Sequence, residues 1–576
     1  MQWIKKHVFL LVILLLTVGT YFSSLSNDFT HLDDYVQVVK NPNIRSLNIG
    51  QVNAIFSSTT VGMYQPVSTL FYAICYNFLG KEAVNFHCLS LFFHLLNISL
   101  VVILLSKFDV EKSKAILFAG IFAFHPMQVE SVAWVSAFSN LAYSCFYLAA
   151  LIHYRNYTLG KQKAYIFTLI FFLLSLFSKS TAVTLPVVLL AMDYFQNKKI
   201  TTKAWLNKIP FFILSIIFGV ITIYSRESAG HLSDLSIQFD WFDRIFLIAY
   251  SVLFYPVQWV FPFELSAFYP YPEISNGMIP WVYYLSLPLL VVLLIFTWLK
   301  RKNTQLFFGA LFYLFSIAVV IQIIPVGNQL TTDRYIYLPM LGLILILHSL
   351  LPQQWKKSQY IIFGCWALLL MIASQQRSKV WANDGLIWED VIEKYPNVAQ
   401  AYNNLGSYEL KNGKTKQAFE HFNRAVKLKP YYADALSNRG NLYSQMGNSS
   451  SALNDFNKAI EFRPHADAYF NRANEYSRMG EYKKAIDDYQ ASAALKKSAD
   501  TFTNWAYALL QLKNISEAKN KLQEAINLDD NFSQAHFLNG MISQQEGNFS
   551  SACQHFKKAS KQNHPQANQA LQRFCR

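Results

Sequence analysis

Two adjacent carboxylates follow the first apolar run of the chain. Asp33 and Asp34 lie within residues 27–35, just beyond a segment long enough to be a first membrane helix. A carboxylate at a membrane surface can take the proton of a hydroxyl group or hold a cation. The alternative is that one of the two caps the amino terminus of a helix. The pair is the first candidate for catalysis.

Three further side chains are candidates for binding a phosphate. Arg334 and Tyr335 lie in the segment 331–339, at the end of an apolar run, and Lys179 lies where two short apolar runs meet. A charge beside hydrocarbon is costly and usually functional, and a guanidinium can hold a phosphate through two parallel hydrogen bonds. Alternatively, Arg334 only pairs with its neighbour Asp333 and extends toward water.

The histidines and one acid form a weaker group of candidates. His125 and Glu130 lie between two apolar runs, where Glu130 either orients a substrate or caps a helix. His87 and His94 are seven residues apart and therefore share one face of a helix. A buried histidine is more often hydrogen-bonded than metal-bound, so we predict no metal site.

Charge and motif content argue against several classes of function. The net charge of +15 comes largely from lysines and arginines at the ends of apolar runs, which is the pattern of a membrane protein rather than of a nucleic-acid binder. The sequence contains no Walker loop, no GxGxxG and no GxSxG motif. ATP-driven transport, nucleotide-dependent redox chemistry and α/β-hydrolase chemistry therefore have no support.

Hydropathy predicts an all-α, multi-spanning membrane domain over residues 1–376. Charged residues make up only 15% of the chain, against about 25% in soluble proteins. Since a span needs about 20 apolar residues, we predict about eleven spans, the first of them a retained signal anchor. Their ranges are 8–26, 84–106, 115–134, 139–155, 165–178, 182–195, 209–225, 281–299, 305–324, 335–351 and 359–375. A further stretch, 243–262, is predicted to be re-entrant or interfacial.

The basic clusters also predict the orientation of the chain. The positive-inside rule assigns them to the cytoplasm. Eleven crossings then place residues 27–83, the first outer loop, on the opposite face, together with the segment 325–334 and the whole C-terminal third.

The C-terminal third predicts a solenoid of tetratricopeptide repeats. Small and large residues recur there with a period of 33–34, as in Ala418, Ala452, Ala485, Ala518 and Ala552. We predict a connecting helix over 377–398, five repeats over 399–565 and a capping helix over 566–576. Stacked repeats of this kind bury one continuous core.

One position of the first helix in each repeat carries an amide. Asn404, Asn438, Asn471 and Asn504 occupy it in the first four repeats. A side-chain amide both donates and accepts hydrogen bonds, so such a row can hold an extended acceptor peptide. The alternative is that these residues only bond neighbouring helices. Cys553 and Cys575 can form a disulfide if the tail lies in an oxidising compartment.

Along almost the whole chain, the motifs and their order resemble those of a known family. This family is the transmembrane and tetratricopeptide-repeat O-mannosyltransferases with their bacterial relatives, which belongs to the C-type glycosyltransferases. The residues that carry the resemblance are Asp33-Asp34, Tyr64-Gln65-Pro66, Asn85-Phe86-His87, His125–Trp134, Ser178-Lys179, Asp333–Pro339 and Gly342, then Arg377, Trp381, Trp388 and Pro396. The resemblance implies transfer of a sugar, mannose in this family, from a polyprenyl-phosphate donor to Ser or Thr of a protein. It further implies that Asp33 or Asp34 is the catalytic carboxylate and that Arg334 and Lys179 stabilise the leaving phosphate. His125, Glu130, Tyr64 and His87 would then lie near the substrates.

Two departures from the family pattern bear on activity. No charged residue occurs in 135–140, where the family commonly has some, and Gln65 stands where arginine is common. Two alternatives therefore remain: a transferase acting on a polysaccharide or lipid, and a non-catalytic membrane scaffold.

The abundance of Lys, Asn, Ile and Phe is typical of an AT-rich bacterial genome, which predicts an inner-membrane protein with a periplasmic tail. The sequence leaves a divalent metal open and predicts no other cofactor. The predicted partners are the bilayer, the polyprenyl-linked sugar and acceptor polypeptides, with no nucleic acid.

Overall fold

The computed structural model describes residues 2–197, 199–228, 239–323 and 327–575, so the predicted segment 325–334 is described from residue 327 onward. The chain divides into a membrane domain (Met1–Tyr395) and a repeat domain (Pro396–Arg576). Both are helical. Among the described residues, the one sheet pairs two short antiparallel strands, β1 (Tyr269–Pro270) and β2 (Gln329–Thr331).

The membrane domain contains eighteen α-helices within the described ranges. They are α1 Gln2–Tyr21, α2 Ile49–Ser57, α3 Pro66–Leu79, α4 Ala83–Lys107, α5 Lys112–Phe124, α6 Val129–Ala133, α7 Phe138–Thr158, α8 Ala164–Ser178, α9 Leu185–Asn197, α10 Thr202–Leu206, α11 Ile209–Ser228, α12 Trp241–Val260, α13 Trp281–Tyr284, α14 Ser286–Leu299, α15 Thr304–Ile317, α16 Met340–Leu350, α17 Lys357–Val380 and α18 Asp384–Lys394. Short 3₁₀ helices connect several of them, at Phe22–Ser26, Pro42–Ile44, Pro126–Gln128, Val135–Ala137, Ser180–Thr184 and Asp333–Ile336, and Tyr35–Val39 is a π-helix.

Six helical segments of the described chain are long and apolar enough to cross a membrane. They are Val8–Ser26, Ala83–Lys107, Val135–Thr158, Thr202–Ser228, Trp281–Leu299 and Lys357–Val380. The helices α5 and α6 qualify as a seventh only as a pair, bent by 58°.

The remaining predicted spans correspond to shorter helices. The apolar helices α8, α15 and α16 cover most of 165–178, 305–324 and 335–351, and α9 overlaps most of 182–195. Each of the eleven predicted segments thus contains a helix, and the number that cross stays a prediction. The sequence analysis did not predict α3, a fourteen-residue apolar helix within the first outer loop.

The helices α15 and α16 pack backbone against backbone. A Cβ atom on Gly342 would lie 2.5 Å from the carbonyl oxygen of Gly309, and one on Gly309 would lie 2.8 Å from that of Gly342. No side chain fits at such distances in a close-packed interior. Because α16 begins directly after Pro339, this contact fixes the segment that carries Arg334.

The repeat domain contains eleven helices, in five antiparallel pairs and one cap. They are α19 Ala399–Lys411, α20 Thr415–Leu428, α21 Ala433–Gln445, α22 Ser449–Phe462, α23 Ala466–Arg478, α24 Tyr482–Leu495, α25 Ala499–Gln511, α26 Ile515–Leu528, α27 Ser533–Gln545, α28 Phe549–Lys561 and α29 Ala567–Phe574. The five helical pairs lie within 399–565 and α29 lies within 566–576, and the bounds of the repeats stay a prediction.

Small and large residues fit together within each repeat. A Cβ atom on Gly440 would lie 2.7 Å from the ring of Phe456, and Gly406 and Gly540 face the phenylalanine of their own repeats in the same way. The phenylalanine therefore fills the space above the glycine of its own repeat. It also contacts the next repeat, since Phe422 clusters with Leu442.

A disulfide joins the last repeat to the cap. Cys553 on α28 and Cys575, which follows α29, are bonded, with their Cα atoms 5.6 Å apart. This separation is typical of a disulfide. The bond expected only for an oxidising compartment is therefore compatible with the fold.

Candidate active site

Asp34 is a buried carboxylate with hydrogen bonds to both of its oxygens. One of its oxygens accepts hydrogen bonds from the backbone N–H (2.9 Å) and the hydroxyl (3.0 Å) of Thr30. The other accepts from the backbone N–H (2.8 Å) and the hydroxyl of Ser136. Burial raises the pKa of Asp34 to about 6, against the opposing effect of these bonds. Asp34 thus ties the first outer loop to the 3₁₀ helix Val135–Ala137.

Asp33 has a different environment. It is half-buried, and its backbone carbonyl accepts from the N–H groups of Val36 (3.1 Å) and Gln37 (2.9 Å), which begins the π-helix. Its carboxylate lies within electrostatic range of Arg334 and Arg226. Of the two acids, Asp33 is the one placed beside positive charge.

Arg334 is held by Glu130. The Glu130 carboxylate accepts from the backbone N–H of Arg334 (2.7 Å) and from its guanidinium. The guanidinium also lies over the rings of Trp134 and Tyr335, 5.1 Å from each centroid. Such contacts fix the side chain in one orientation. The alternative in which Arg334 pairs with Asp333 is not what the structure contains, because Asp333 accepts from the Tyr269 hydroxyl at 2.7 Å.

Lys179 also lies near the Tyr335 ring. Its ammonium donates to the Asn140 side-chain oxygen (2.6 Å) and is 5.7 Å from the Tyr335 ring centroid. Burial, together with the positive charges of Arg334 and Arg226, lowers the pKa of Lys179 to about 7, against the opposing effect of Glu130. A lysine of this kind gains a proton readily when an anion arrives.

Arg226 completes a group of three basic side chains, the cation cluster (Lys179, Arg226 and Arg334). It lies in the last turn of α11, close enough to Arg334, Lys179 and Asp33 for their charges to act on one another. Glu130 and Asp33 are the acids whose charges act on this cluster. Three basic side chains close together can bind the negative charge of a phosphodiester.

The sequence analysis missed Arg226. The signal was present, because Arg226 directly follows the predicted span 209–225 just as Arg334 directly precedes the predicted span 335–351, and a charge at such a place is usually functional. For residues 135–140, the sequence analysis noted only that the charged residues common in the family are missing. In the structure Ser136 and Asn140 of this segment bond Asp34 and Lys179.

The other predicted residues have structural contacts. His125 bonds the carbonyl of Trp259 (2.9 Å) and accepts from the backbone of Met127. His87 bonds the carbonyl of Asn27 (3.2 Å) and so supports the same loop as Asp33.

Tyr64 and the residue after it lie on the same loop. The Tyr64 hydroxyl donates to the carbonyl of Phe56 (2.9 Å), and its ring packs near Phe177. Gln65 is buried and donates to Gln37 at 3.1 Å. Within the described ranges, no group of three or more His, Cys, Asp or Glu side chains is arranged to hold a metal ion.

The amide row of the repeat domain is half-buried. Asn438 donates to Asn403 of the preceding repeat (2.9 Å), and Asn504 donates to Asn474 (3.0 Å). Asn404 accepts from Asn403 at 3.1 Å, and Asn471 occupies the equivalent position in the third repeat. Asn438 and Asn504 therefore bond between helices, whereas Asn404 bonds within its own helix, and a side-chain amide has more hydrogen-bonding groups than these bonds use.

Comparison with known proteins places this geometry in context. Tetratricopeptide-repeat family models match residues 397–465 and 466–498. Over a longer range, 454 residues are 25% identical to a protein named Protein O-mannosyl-transferase F38B6.6 of Caenorhabditis elegans, covering 73% of this chain and 63% of that protein. This chain resembles protein O-mannosyl-transferases.

A second relative agrees. Protein O-mannosyl-transferase TMTC1 of Homo sapiens is 22% identical over 476 residues, which cover 71% of this chain and 54% of that protein. The chain thus spans between about half and two thirds of the length of these relatives. Among solved structures, MamA is 21% identical with a TM-score of 0.26, covering 28% of this chain and 97% of that one.

Proposed function

We propose that this chain is a membrane glycosyltransferase that moves mannose from a polyprenyl-phosphate donor to Ser or Thr hydroxyls of proteins on the non-cytoplasmic face. The observation that carries the proposal is the cation cluster beside Asp33. Similarity to proteins named protein O-mannosyl-transferases supports the same reaction class.

The reaction is a single displacement at the anomeric carbon. Asp33 takes the proton of the acceptor hydroxyl, whose oxygen forms the new bond to that carbon as the bond to the phosphate oxygen breaks. Polyprenyl phosphate leaves with one additional negative charge. Arg334, Arg226 and Lys179 stabilise that charge, which develops only as the bond breaks. One displacement inverts the anomeric configuration.

Glu130 and Tyr335 are assigned to orientation. Glu130 holds both the backbone and the guanidinium of Arg334, and the Tyr335 ring lies near both Arg334 and Lys179. Fixed donors of this kind need little reorganisation during the reaction. The aromatic contacts of Tyr64, beside the end of α8, fit the first isoprene units of the donor lipid.

The assay uses the full chain in lipid nanodiscs with polyprenyl-phosphate mannose and a Ser/Thr-rich peptide. Transfer to the peptide is expected, with loss in Asp33→Asn and none in Asp28→Asn, an exposed acid of the same turn. Transfer only to lipid or polysaccharide would favour that class of acceptor. An inactive wild-type chain that still retains envelope proteins would favour the scaffold.

We assign acceptor binding to the repeat domain. Alanine at Asn404, Asn438, Asn471 and Asn504 together should raise the KM for the peptide about tenfold, or about 1.4 kcal/mol, with kcat and the donor KM unchanged. Asn403→Ala with Asn474→Ala is the control, because it removes bonds between repeats without removing the row. An equal rise in the control would assign the amides to packing.

We also propose that the repeat domain lies in the periplasm, beyond a bacterial inner membrane. The Cys553–Cys575 disulfide supports this, since such bonds persist in oxidising compartments. After reduction, a membrane-impermeant maleimide should label both thiols in cells permeable only at the outer membrane. Labelling that requires inner-membrane lysis would place the tail in the cytoplasm.

A further inference from the structure

The turn that carries Asp33 (residues 28–35, the Asp33 turn) is fastened to the start of α18. The backbone N–H of His31 donates to both carboxylate oxygens of Asp384, at 2.9 and 3.1 Å. The His31 ring Nδ1 lies 2.6 Å from one of the same oxygens. The backbone N–H of Asp28 donates to the carbonyl of Ala382 at 3.0 Å. The Asp384 carboxylate therefore makes three contacts with His31 alone.

Asp384 is suited to this place. It is 5% exposed and lies in the first turn of α18, after the capping residue Asn383. A helix amino terminus favours a carboxylate, and a buried carboxylate needs polar partners. His31 provides them through its backbone and its ring.

The His31 ring is also held in place by a contact within the Asp33 turn. The His31 ring stacks on Tyr35, with centroids 3.8 Å apart and planes at 24°. His31 and Tyr35 therefore bracket Asp33 and Asp34 along the chain. Asp34 is bonded to Ser136, so the turn is fastened to α18 before Asp33 and to the 3₁₀ helix Val135–Ala137 after it.

We propose that Asp384 and His31 are positioning residues for sugar transfer, which hold the Asp33 turn so that the Asp33 carboxylate meets the acceptor hydroxyl. This inference rests on the proposed function. Neither residue is assigned a proton transfer. A displacement of about 1 Å at a reacting group can cost about 100-fold in rate, so the effect falls on kcat rather than on the binding of either substrate.

The first test compares Asp384→Asn with Glu389→Gln in the full chain in nanodiscs. Glu389 is an exposed acid on the same helix, so its variant makes the same chemical change away from the turn. Asp384→Asn should lower kcat about 10- to 100-fold with both KM values within about twofold, and Glu389→Gln should match the wild type. Asp384→Glu should recover part of the loss. An unchanged kcat in Asp384→Asn, or an equal loss in Glu389→Gln, overturns the inference.

His31→Ala tests whether the two residues act as one device. If they do, the double variant should lose less than the product of the single losses, because the second substitution removes a contact already broken. Fully multiplicative losses would mean that the residues act separately, against the inference.

Hydrogen exchange of residues 27–35 separates this inference from the proposed function. Asp384→Asn should speed exchange there about tenfold or more, while Glu389→Gln should not. If the wild type transfers no sugar, the proposed function fails, and the exchange rates still decide whether Asp384 fastens the turn. Unchanged exchange overturns the inference, and so does faster exchange with an unchanged kcat in an active enzyme.

Discussion

Some charge pairs of the membrane domain join residues much farther apart along the chain than the pairs of the repeat domain do. In the repeat domain, Arg439 pairs with Asp455 and Arg472 with Asp488, each across 16 residues. In the membrane domain, Arg334 and Glu130 are 204 residues apart, and the His31–Asp384 contact spans 353. Contacts of the first kind follow from a local period, and those of the second kind exist only once the whole domain has folded. A substitution in the repeat domain should therefore have a local effect. The candidate active site, in contrast, should be affected by substitutions in several distant parts of the chain.

The largest effect is expected at Asp33. Asp33→Asn removes the carboxylate assigned to proton transfer, so kcat should fall about 10³-fold, within the range known for general bases. Donor affinity and the thermal unfolding midpoint should not change. Single-turnover transfer with saturating donor measures the loss, with Asp28→Asn as the control.

Asp34→Asn should act through stability instead. The amide nitrogen would face donors of either Thr30 or Ser136, so we expect a loss of about 1–3 kcal/mol in the free energy of unfolding. Thermal unfolding in nanodiscs measures it. Full stability with abolished transfer in Asp34→Asn would reverse the roles of the two acids.

The next effect is expected at Arg226, far in sequence from Arg334. Arg226→Gln should raise the donor Kd about 10- to 100-fold, or about 1.4–2.7 kcal/mol, because a charge-assisted contact with phosphate is lost. The peptide KM should not change. Arg45→Gln, an exposed arginine of the first outer loop, is the control. A donor affinity that Arg226→Gln leaves intact would confine the phosphate site to Arg334 and Lys179.

A smaller effect is expected in the repeat domain at Gly440. Gly440→Ala adds a Cβ that must displace the Phe456 ring, and overpacking of this kind costs about 1–3 kcal/mol. Hydrogen exchange should speed up in Ala433–Phe462, decline with distance from this repeat, and stay unchanged in the Asp33 turn. Gly219→Ala is the control, since a Cβ there would have no atom within 4 Å. Faster exchange throughout both domains would break the contrast between them.

The smallest effect is on the pH dependence of donor binding. With a pKa of about 7, Lys179 is protonated below pH 7 and loses its proton above it. A bound phosphate favours the protonated form, so binding takes up a proton. The donor Kd should be flat below pH 7 and rise above it, by at most about tenfold per pH unit.

Tryptophan fluorescence offers a readout for this titration, because Trp134 lies beneath Arg334. Lys179→Met should flatten the profile, while Lys40→Met, an exposed lysine of the first outer loop, should keep it. If the donor Kd still rises above pH 7 in Lys179→Met, another group takes up the proton.

The contrast between contacts that are short-range and long-range along the chain also explains what the sequence could predict. The repeat period gave the five helical pairs and the cap, because each contact recurs within one or two repeats. Hydropathy located the membrane helices, since span length is a local property. Asp33, Arg334 and Lys179 were found as charges at the ends of apolar runs, and the fold brings all three together.

Sequence patterns could not separate Asp33 from Asp34. Two adjacent acids differ only in what surrounds them, and the partners of Asp34 include Ser136, which lies 102 residues away. The contact between His31 and Asp384 was missed for the same reason. The span count stays a prediction, because bends and short helices such as α5, α8 and α9 depend on packing against neighbours rather than on hydropathy.

The glycine contact between α15 and α16 has a consequence for genetic screens. Gly342 has no chemistry of its own, yet any side chain there would push against the backbone of Gly309 and shift the segment that precedes α16. That segment carries Arg334. A screen for inactive alleles should therefore recover substitutions at Gly342 as often as at charged positions, and suppressors of such alleles should map to α15 rather than to the cation cluster.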